Sequence, residues 1–230
     1  MPILQMNGVK KIYRRGVTEV QALRGIDMDI EEGDFLAIVG PSGSGKSTLL
    51  NIIGCLDSAS TGSVLYNGTQ LSNRSEKELS EYRKKNIGFI FQSYNLIPVL
   101  NVRENVELPL VIDKKLSKQE MALKSLKVIE SVGLKDMVDR YPRELSGGQE
   151  QRVAIARALV KDPLVVLADE PTANLDSATA EEIISVMKEM NKNLKTTFIF
   201  STHDKLVETH AQRVVVLHDG LISHDERKYL

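Results

Sequence analysis

The chain of 230 residues holds one cysteine, Cys55, so no disulfide can form within it, and the composition suits a reducing compartment. An excess of charge is also missing: 30 Lys and Arg stand against 31 Asp and Glu. Binding along a phosphodiester backbone leans on clustered surplus cations, so nothing global marks a nucleic-acid binder. Long apolar runs are absent. A membrane-spanning helix needs roughly 20 apolar residues, and runs such as PLVVLA are far shorter. The opening MPILQMNGVKK lacks the apolar centre of a signal peptide. No repeat, linker or low-complexity tract is evident. The expectation is a soluble protein with a substantial core, in one or two lobes.

What is present is a succession of strand and helix patterns. Ile26 to Ile30 (IDMDI) alternates apolar and polar residues, as a half-buried strand does. Phe35 to Val39 (FLAIV) and Leu164 to Asp169 (LVVLAD) are continuous apolar runs, suited to strands buried on both faces. Asn67-Gly68 and Asp219-Gly220 lie between short apolar runs and predict hairpins. Ser75 with Glu78, and Ser117 with Glu120, have capping-box spacing. The second pair opens a stretch in which Met121, Leu123, Leu126, Ile129 and Val132 run close to helical period. Helices are also expected at KSTLLNIIGCL and SATAEEIISVMKEMNKN, and a strand at TTFIFST. Buried strands alternating with helices predict an α/β core with a parallel sheet. Roughly Ser93 to Lys161 reads as a helical insertion between two halves of that core.

One short stretch, GPSGSGKST from Gly40 to Thr48, fits the phosphate-loop pattern G-x-x-x-x-G-K-S. Gly40, Gly43 and Gly45 let backbone N–H groups turn inward without a side chain in the way, and the following helix presents its positive end to an anion. Lys46 would reach the outer phosphates, and the Ser47 hydroxyl would ligate Mg²⁺. Asp169 and Glu170 follow a buried strand, where ligands meet an open parallel sheet. Asp169 could hold Mg²⁺ through water, and Glu170 could polarise the attacking water. Adjacent carboxylates are also common on surfaces, so the pair alone is weak evidence. A phosphate loop by itself leaves kinases, GTPases, motors and transporters open.

LSGGQEQRVAIARALV narrows the choice. Ser146 and Gln149 have capping-box spacing, which makes a second helix N-terminus able to meet an anion. LSGGQ resembles the signature of ATP-binding cassette (ABC) ATPases, and the rest of the chain is similar to that family in order. GPSGSGKST resembles Walker A and LVVLADE resembles Walker B. Gln92 in FIFQSYNL resembles the Q-loop glutamine, Asp176 in NLDS the D-loop, and His203 in FSTHD the switch histidine. Tyr13 in KKIYRRG resembles the aromatic that stacks on adenine. Bland readings exist for each: a structural histidine, a half-buried strand tyrosine, a capping glutamine.

The resemblance covers essentially the whole chain. It implies one nucleotide-binding domain over 1–230 with a P-loop NTPase (RecA-like) parallel-sheet core, an N-terminal antiparallel β subdomain and an inserted α-helical signature subdomain. The core would take 1–92 and 162–230, and the helical part 93–161. It implies ATP and Mg²⁺ as ligands. Tyr13, Gly40, Ser42, Gly43, Ser44, Gly45, Lys46, Ser47, Thr48 and Gln92 would bind ATP. Ser47, Gln92 and Asp169 would hold the metal, and Lys46, Glu170 and His203 would be catalytic. Ser146, Gly147, Gly148 and Gln149 of one subunit would close on the γ-phosphate held by Lys46 of the other, in an ATP-dependent homodimer.

A membrane permease would dock near residues 91–100, where Phe91, Tyr94, Leu96, Ile97, Val99 and Leu100 cluster, and the chain would lie on the inner face of the cell membrane. Several stretches are similar to the ATPase subunits of lipoprotein-releasing and macrolide- or peptide-exporting complexes. An amino-acid importer ATPase and the related cell-division ATPase stay open as alternatives. A soluble ABC ATPase acting on nucleic acid or ribosomes fits less well, because no long coiled coil or second cassette is present.

Overall fold

The architecture comes from a computed structural model that describes residues 2–16, 18–72, 74–113 and 116–228. The chain runs β1 (Leu4–Arg15), β2 (Thr18–Ile30), β3 (Phe35–Val39), α1 (Lys46–Ile53), β4 (Thr61–Tyr66) and β5 (Thr69–Gln70). It continues through α2 (Glu76–Asn86), β6 (Ile87–Ile90), α3 (Val102–Asp113), α4 (Lys118–Ser131), α5 (Gly147–Leu159) and β7 (Val165–Asp169). It ends with α6 (Ser177–Leu194), β8 (Thr197–Ser201), α7 (Lys205–His210), β9 (Arg213–His218) and β10 (Leu221–Arg227).

Two sheets form. The first is antiparallel, in the order β2-β1-β4-β5. The second has the order β10-β9-β3-β8-β7-β6 and is parallel except for β10. The hairpin dipeptides act as expected. Asn67 and Gly68 have φ of 47° and 75°, and Asp219 and Gly220 have 48° and 77°. Positive φ at both central residues is what the tight hairpin turn needs.

The apolar runs are buried on both faces because each face of the parallel sheet carries its own core. Leu36, Ile38, Val165, Leu167 and Ile199 point to one side, where α1 packs between the two sheets. Phe35, Val166, Ala168, Phe198 and Phe200 point to the other, against α3 to α7. Alternation across a strand therefore puts apolar side chains from these runs on both faces.

Both predicted capping boxes are present, at Ser75 with Glu78 and at Ser117 with Glu120. The apolar stripe of α4 differs from the expected one. Leu123 is 71 % exposed and Leu126 40 %, while Ser125 and Ile129 are buried. The buried stripe runs through Met121, Ser125, Val128 and Ile129, and the serine in it hid the true phase. Ser125 is tolerated there because its hydroxyl donates to Glu107 and also contacts the Ala122 carbonyl. Helix α5 lies against β6, and Gly88 allows the approach: a Cβ there would stand 2.6 Å from the Ala158 carbonyl oxygen.

Candidate functional site

The loop from Gly40 to Gly45 joins β3 to α1. Gly40, Gly43 and Gly45 all have positive φ, at 152°, 80° and 105°. Space is also short. A Cβ on Gly45 would stand 2.6 Å from the Ala22 carbonyl oxygen, and one on Gly40 would strike the Leu217 carbonyl. Only glycine meets both demands. The Lys46 ammonium donates to the carbonyls of Gly40 and Pro41 at 2.7 and 3.0 Å, folded over the loop it belongs to. Ser44 is buried, and its hydroxyl has no hydrogen-bond partner among the described residues.

This loop is one wall of a cavity of about 810 Å³. Ser47 and Thr48 in the first turn of α1, Gln92, Asp169, Glu170 and His203 line the same cavity. They converge because the parallel register places the carboxyl ends of β3, β7 and β8 side by side, with Asp169 paired to Ser201. Ligands meet open parallel sheets at this edge.

Glu170 is the most constrained residue of the group. Its φ is 46°, a left-handed conformation uncommon for a non-glycine residue. Its N–H donates to the Ser201 carbonyl at 2.9 Å. One carboxylate oxygen accepts from the Thr202 hydroxyl at 2.9 Å, and the other lies 2.6 Å from Nδ1 of His203. Gln92 follows β6, and its carbonyl accepts from the Asn174 side chain at 2.8 Å. Thr202 and Asn174 sit inside the motif stretches but carry no spacing signal of their own.

Other expected residues lie outside the cavity lining. Tyr13 pairs with Val20 across the β1–β2 hairpin, and Val20, Gln21 and Ala22 form the wall there instead. The Tyr13 hydroxyl donates to Asp57 at 2.8 Å, and the Lys11 ammonium lies 5.0 Å from the ring centroid. Partial burial raises the Tyr13 pKa above its ordinary value, and the Asp57 charge adds to the rise.

The signature residues also stand apart from this cavity. Ser146 caps α5: its hydroxyl accepts from the Gln149 N–H at 3.3 Å, and the Gln149 side chain accepts from the Ser146 N–H at 3.0 Å. A Cβ on Gly148 would stand 2.5 Å from Thr179, so this end of α5 is pressed against α6. Asp176 caps α6. The Thr179 hydroxyl, at 2.6 Å, and the backbone N–H groups of Thr179 and Ala178 hold its carboxyl below the ordinary range.

The cluster expected at 91–100 divides. Phe91 and Val99 are exposed, while Leu96 is half-buried against the core beside α3. The backbone of Ile97 is held by the Asn105 side chain, which accepts from its N–H at 2.8 Å. A groove of about 250 Å³ forms instead beside Phe89, Phe91, Leu108, Pro109 and Arg157. Arg157 donates to the carbonyls of Tyr94 and Asn95 at 2.5 and 2.6 Å, tying the segment after Gln92 to α5. Among the described residues, no helix is long and apolar enough to cross a membrane.

The sequence profile described as "ABC transporter" matches residues 23–173. The chain belongs to the ABC transporter family. It is one of the family's ATPases, and its two-sheet α/β architecture is the cassette fold. It is 40% identical over 222 residues to the bacitracin export ATP-binding protein BceA of Halalkalibacterium halodurans, covering 96% of this chain and 87% of that one. It is 44% identical over 225 residues to the macrolide export ATP-binding/permease protein MacB of Bdellovibrio bacteriovorus. That match covers 98% of this chain and 34% of MacB. Among solved structures, the dimeric ABC transporter cassette MJ0796 superposes with a TM-score of 0.87 at 41% identity, over 97% of this chain and 98% of that one. MJ0796 comes from Methanocaldococcus jannaschii, and a second dimeric structure of it is a post-hydrolysis state bound to ADP and Pi.

Proposed function

We propose that this ABC ATPase is the cytoplasmic motor of an export-type transporter, lying on the inner face of the membrane and driving a separate permease. The observation that carries the reading is a divided site. Lys46, Gln92, Asp169, Glu170 and His203 share one cavity, while Ser146, Gly147, Gly148 and Gln149 lie outside it. A site divided in this way is completed by the signature of a second copy, and a two-fold dimer repeats the contact. The dimeric MJ0796 structures support that arrangement.

In the proposed reaction, a water oxygen attacks the γ-phosphorus and Glu170 takes the water's proton. The bond from the γ-phosphorus to the bridging oxygen breaks, so ADP and phosphate result. Lys46 and the glycine loop neutralise charge on the phosphates as it spreads. His203, with Nδ1 2.6 Å from Glu170, is the proposed side chain that meets the γ-phosphate. Ser47, Gln92 and Asp169 fit a Mg²⁺ ion that would neutralise phosphate charge. Tyr13, 40 % exposed and paired with Val20 of the cavity wall, is the proposed adenine platform, and Asp176 belongs to the proposed D-loop.

The export assignment draws on the names of BceA and MacB. MacB joins an ATP-binding part and a permease in its name, and this chain spans 34% of it. The groove beside Phe91 and Pro109 is the proposed seat of a short permease helix, next to Gln92 in the chain. The test is fractionation of cells carrying tagged chains. Wild type should sediment with membranes and bring down an integral membrane protein, whereas Phe91→Glu should lose both and keep its ATPase rate. Retention of the partner by a folded Phe91→Glu chain would contradict docking at the groove.

A further inference from the structure

We infer that Thr202 is a positioning residue for hydrolysis, its hydroxyl aiming the carboxylate of Glu170 at the attacking water. The inference rests on the reading of Glu170 as the proton acceptor.

Thr202 is fully buried, and its hydroxyl has two partners. It accepts from the Asp204 N–H at 3.0 Å and lies 2.9 Å from Oε2 of Glu170. An ionised carboxylate only accepts, so the one proton of the hydroxyl is committed to Glu170. Asp204 is itself fixed. One of its oxygens accepts from the Thr172 hydroxyl at 2.6 Å, and the other accepts from the Leu206 N–H at 2.9 Å. Thr172 follows Glu170 by two positions, so the turn after β7 and the turn after β8 brace each other through this chain of hydrogen bonds.

Glu170 needs such a brace. Its backbone occupies the left-handed region, and its long side chain is fixed only through contacts at the carboxylate. His203 holds the other carboxylate oxygen, but His203 is 77 % exposed. Thr202 is the buried partner. Each carboxylate oxygen has two lone-pair sites, so a carboxylate gripped at both oxygens can still accept from water. Without the Thr202 hydroxyl, the carboxylate can pivot about its contact with His203. The fraction of time it faces the water then falls, and with it the rate of the chemical step.

The experiment compares purified full-length Thr202→Val, Thr202→Ala and Thr202→Ser with Glu170→Gln. Loss of a hydrogen bond to a charged group predicts that kcat falls by about tenfold to a hundredfold in Thr202→Val and Thr202→Ala. KM and ATP affinity should stay at the wild-type values. Thr202→Ser returns the hydroxyl and should restore kcat. Slow turnover with intact binding should also make an ATP-bound dimer accumulate on size-exclusion chromatography in the Val and Ala variants, but not in Ser. If Thr202→Val fails to fold, Thr202→Ala carries the same expectation with less steric demand. Wild-type kcat in a folded variant lacking the hydroxyl would overturn the inference, as would a Ser variant as slow as Val. A slow variant that has lost ATP affinity would overturn it too. If Glu170→Gln hydrolyses ATP at the wild-type rate, the reading of Glu170 fails. If Glu170→Gln is inactive while Thr202→Val is not, only the role of Thr202 fails.

Discussion

Nδ1 of His203 stands 2.6 Å from Oε1 of Glu170, so an exposed imidazole and a part-buried carboxylate form one hydrogen-bonded pair in the cavity wall. The pair joins the turn after β7 to the turn after β8, in the cavity proposed to hold the terminal phosphate. It also makes the state of the carboxylate testable without disturbing the phosphate loop.

Glu170→Gln should bind ATP and lose nearly all hydrolysis. A positioned general base is worth roughly 10²–10⁴ in rate. The amide also removes a negative charge beside the terminal phosphate, so an ATP-bound dimer should accumulate. ATPase assays and size-exclusion chromatography with and without ATP measure both effects. Hydrolysis at the wild-type rate would show that Glu170 does not accept the proton.

The strands and the phosphate loop were readable in the sequence because their constraints are local. Phe35 to Ile38 is fully buried on both faces, so the run had to be wholly apolar. Gly40 and Gly45 combine positive φ with crowding, so the residue type reports the backbone. The phase of α4 was not readable, because a buried Ser125 satisfied by Glu107 breaks the apolar period. Leu96 and Ile97 look like Phe91 and Val99 in the sequence. Only the packing of α3 against this segment separates covered side chains from exposed ones. The grip of Thr202 on Glu170 needs the register of β7 with β8, which no spacing between positions 170 and 202 announces.

Gly88→Ala should destabilise the fold. The added Cβ would stand 2.6 Å from the Ala158 carbonyl oxygen, a backbone atom that cannot rotate away. Helix α5 must then lift from β6, at a cost of about 1–3 kcal/mol for overpacking. A urea melt should show a lower midpoint with an unchanged slope. An unaltered midpoint would mean that α5 moves freely on the sheet.

Stability should fall on the acid side through Asp225. Hydrogen bonds from Arg213 hold the Asp225 carboxyl below its ordinary value of 3.8, with the Arg213 and Arg227 charges adding to the effect. A carboxylate whose folded pKa is depressed contributes fully above its unfolded pKa of about 3.9 and loses that contribution as pH falls through the folded value. Arg213 is 8 % exposed and donates to both Asp225 oxygens, at 2.8 and 2.6 Å. Asp225→Asn should therefore lower the melting temperature near neutral pH and flatten its decline below about pH 4. Parallel pH profiles for the two chains would show that the pair contributes nothing.

The central claim, a phosphate site completed by the signature of a second copy, is tested most directly by mixing two inactive variants. Lys46→Ala removes the loop's cation and keeps the signature. Ser146→Arg keeps the loop and places a bulky cation where the terminal phosphate must dock. Each variant alone should be nearly inactive. In a mixed dimer, the loop of the Ser146→Arg chain faces the intact signature of the Lys46→Ala chain. With random pairing and independent sites, an equimolar mixture should recover about a quarter of wild-type ATPase activity. A mixture no more active than its separate components, or a Ser146→Arg chain that hydrolyses ATP normally by itself, would contradict a site shared between copies.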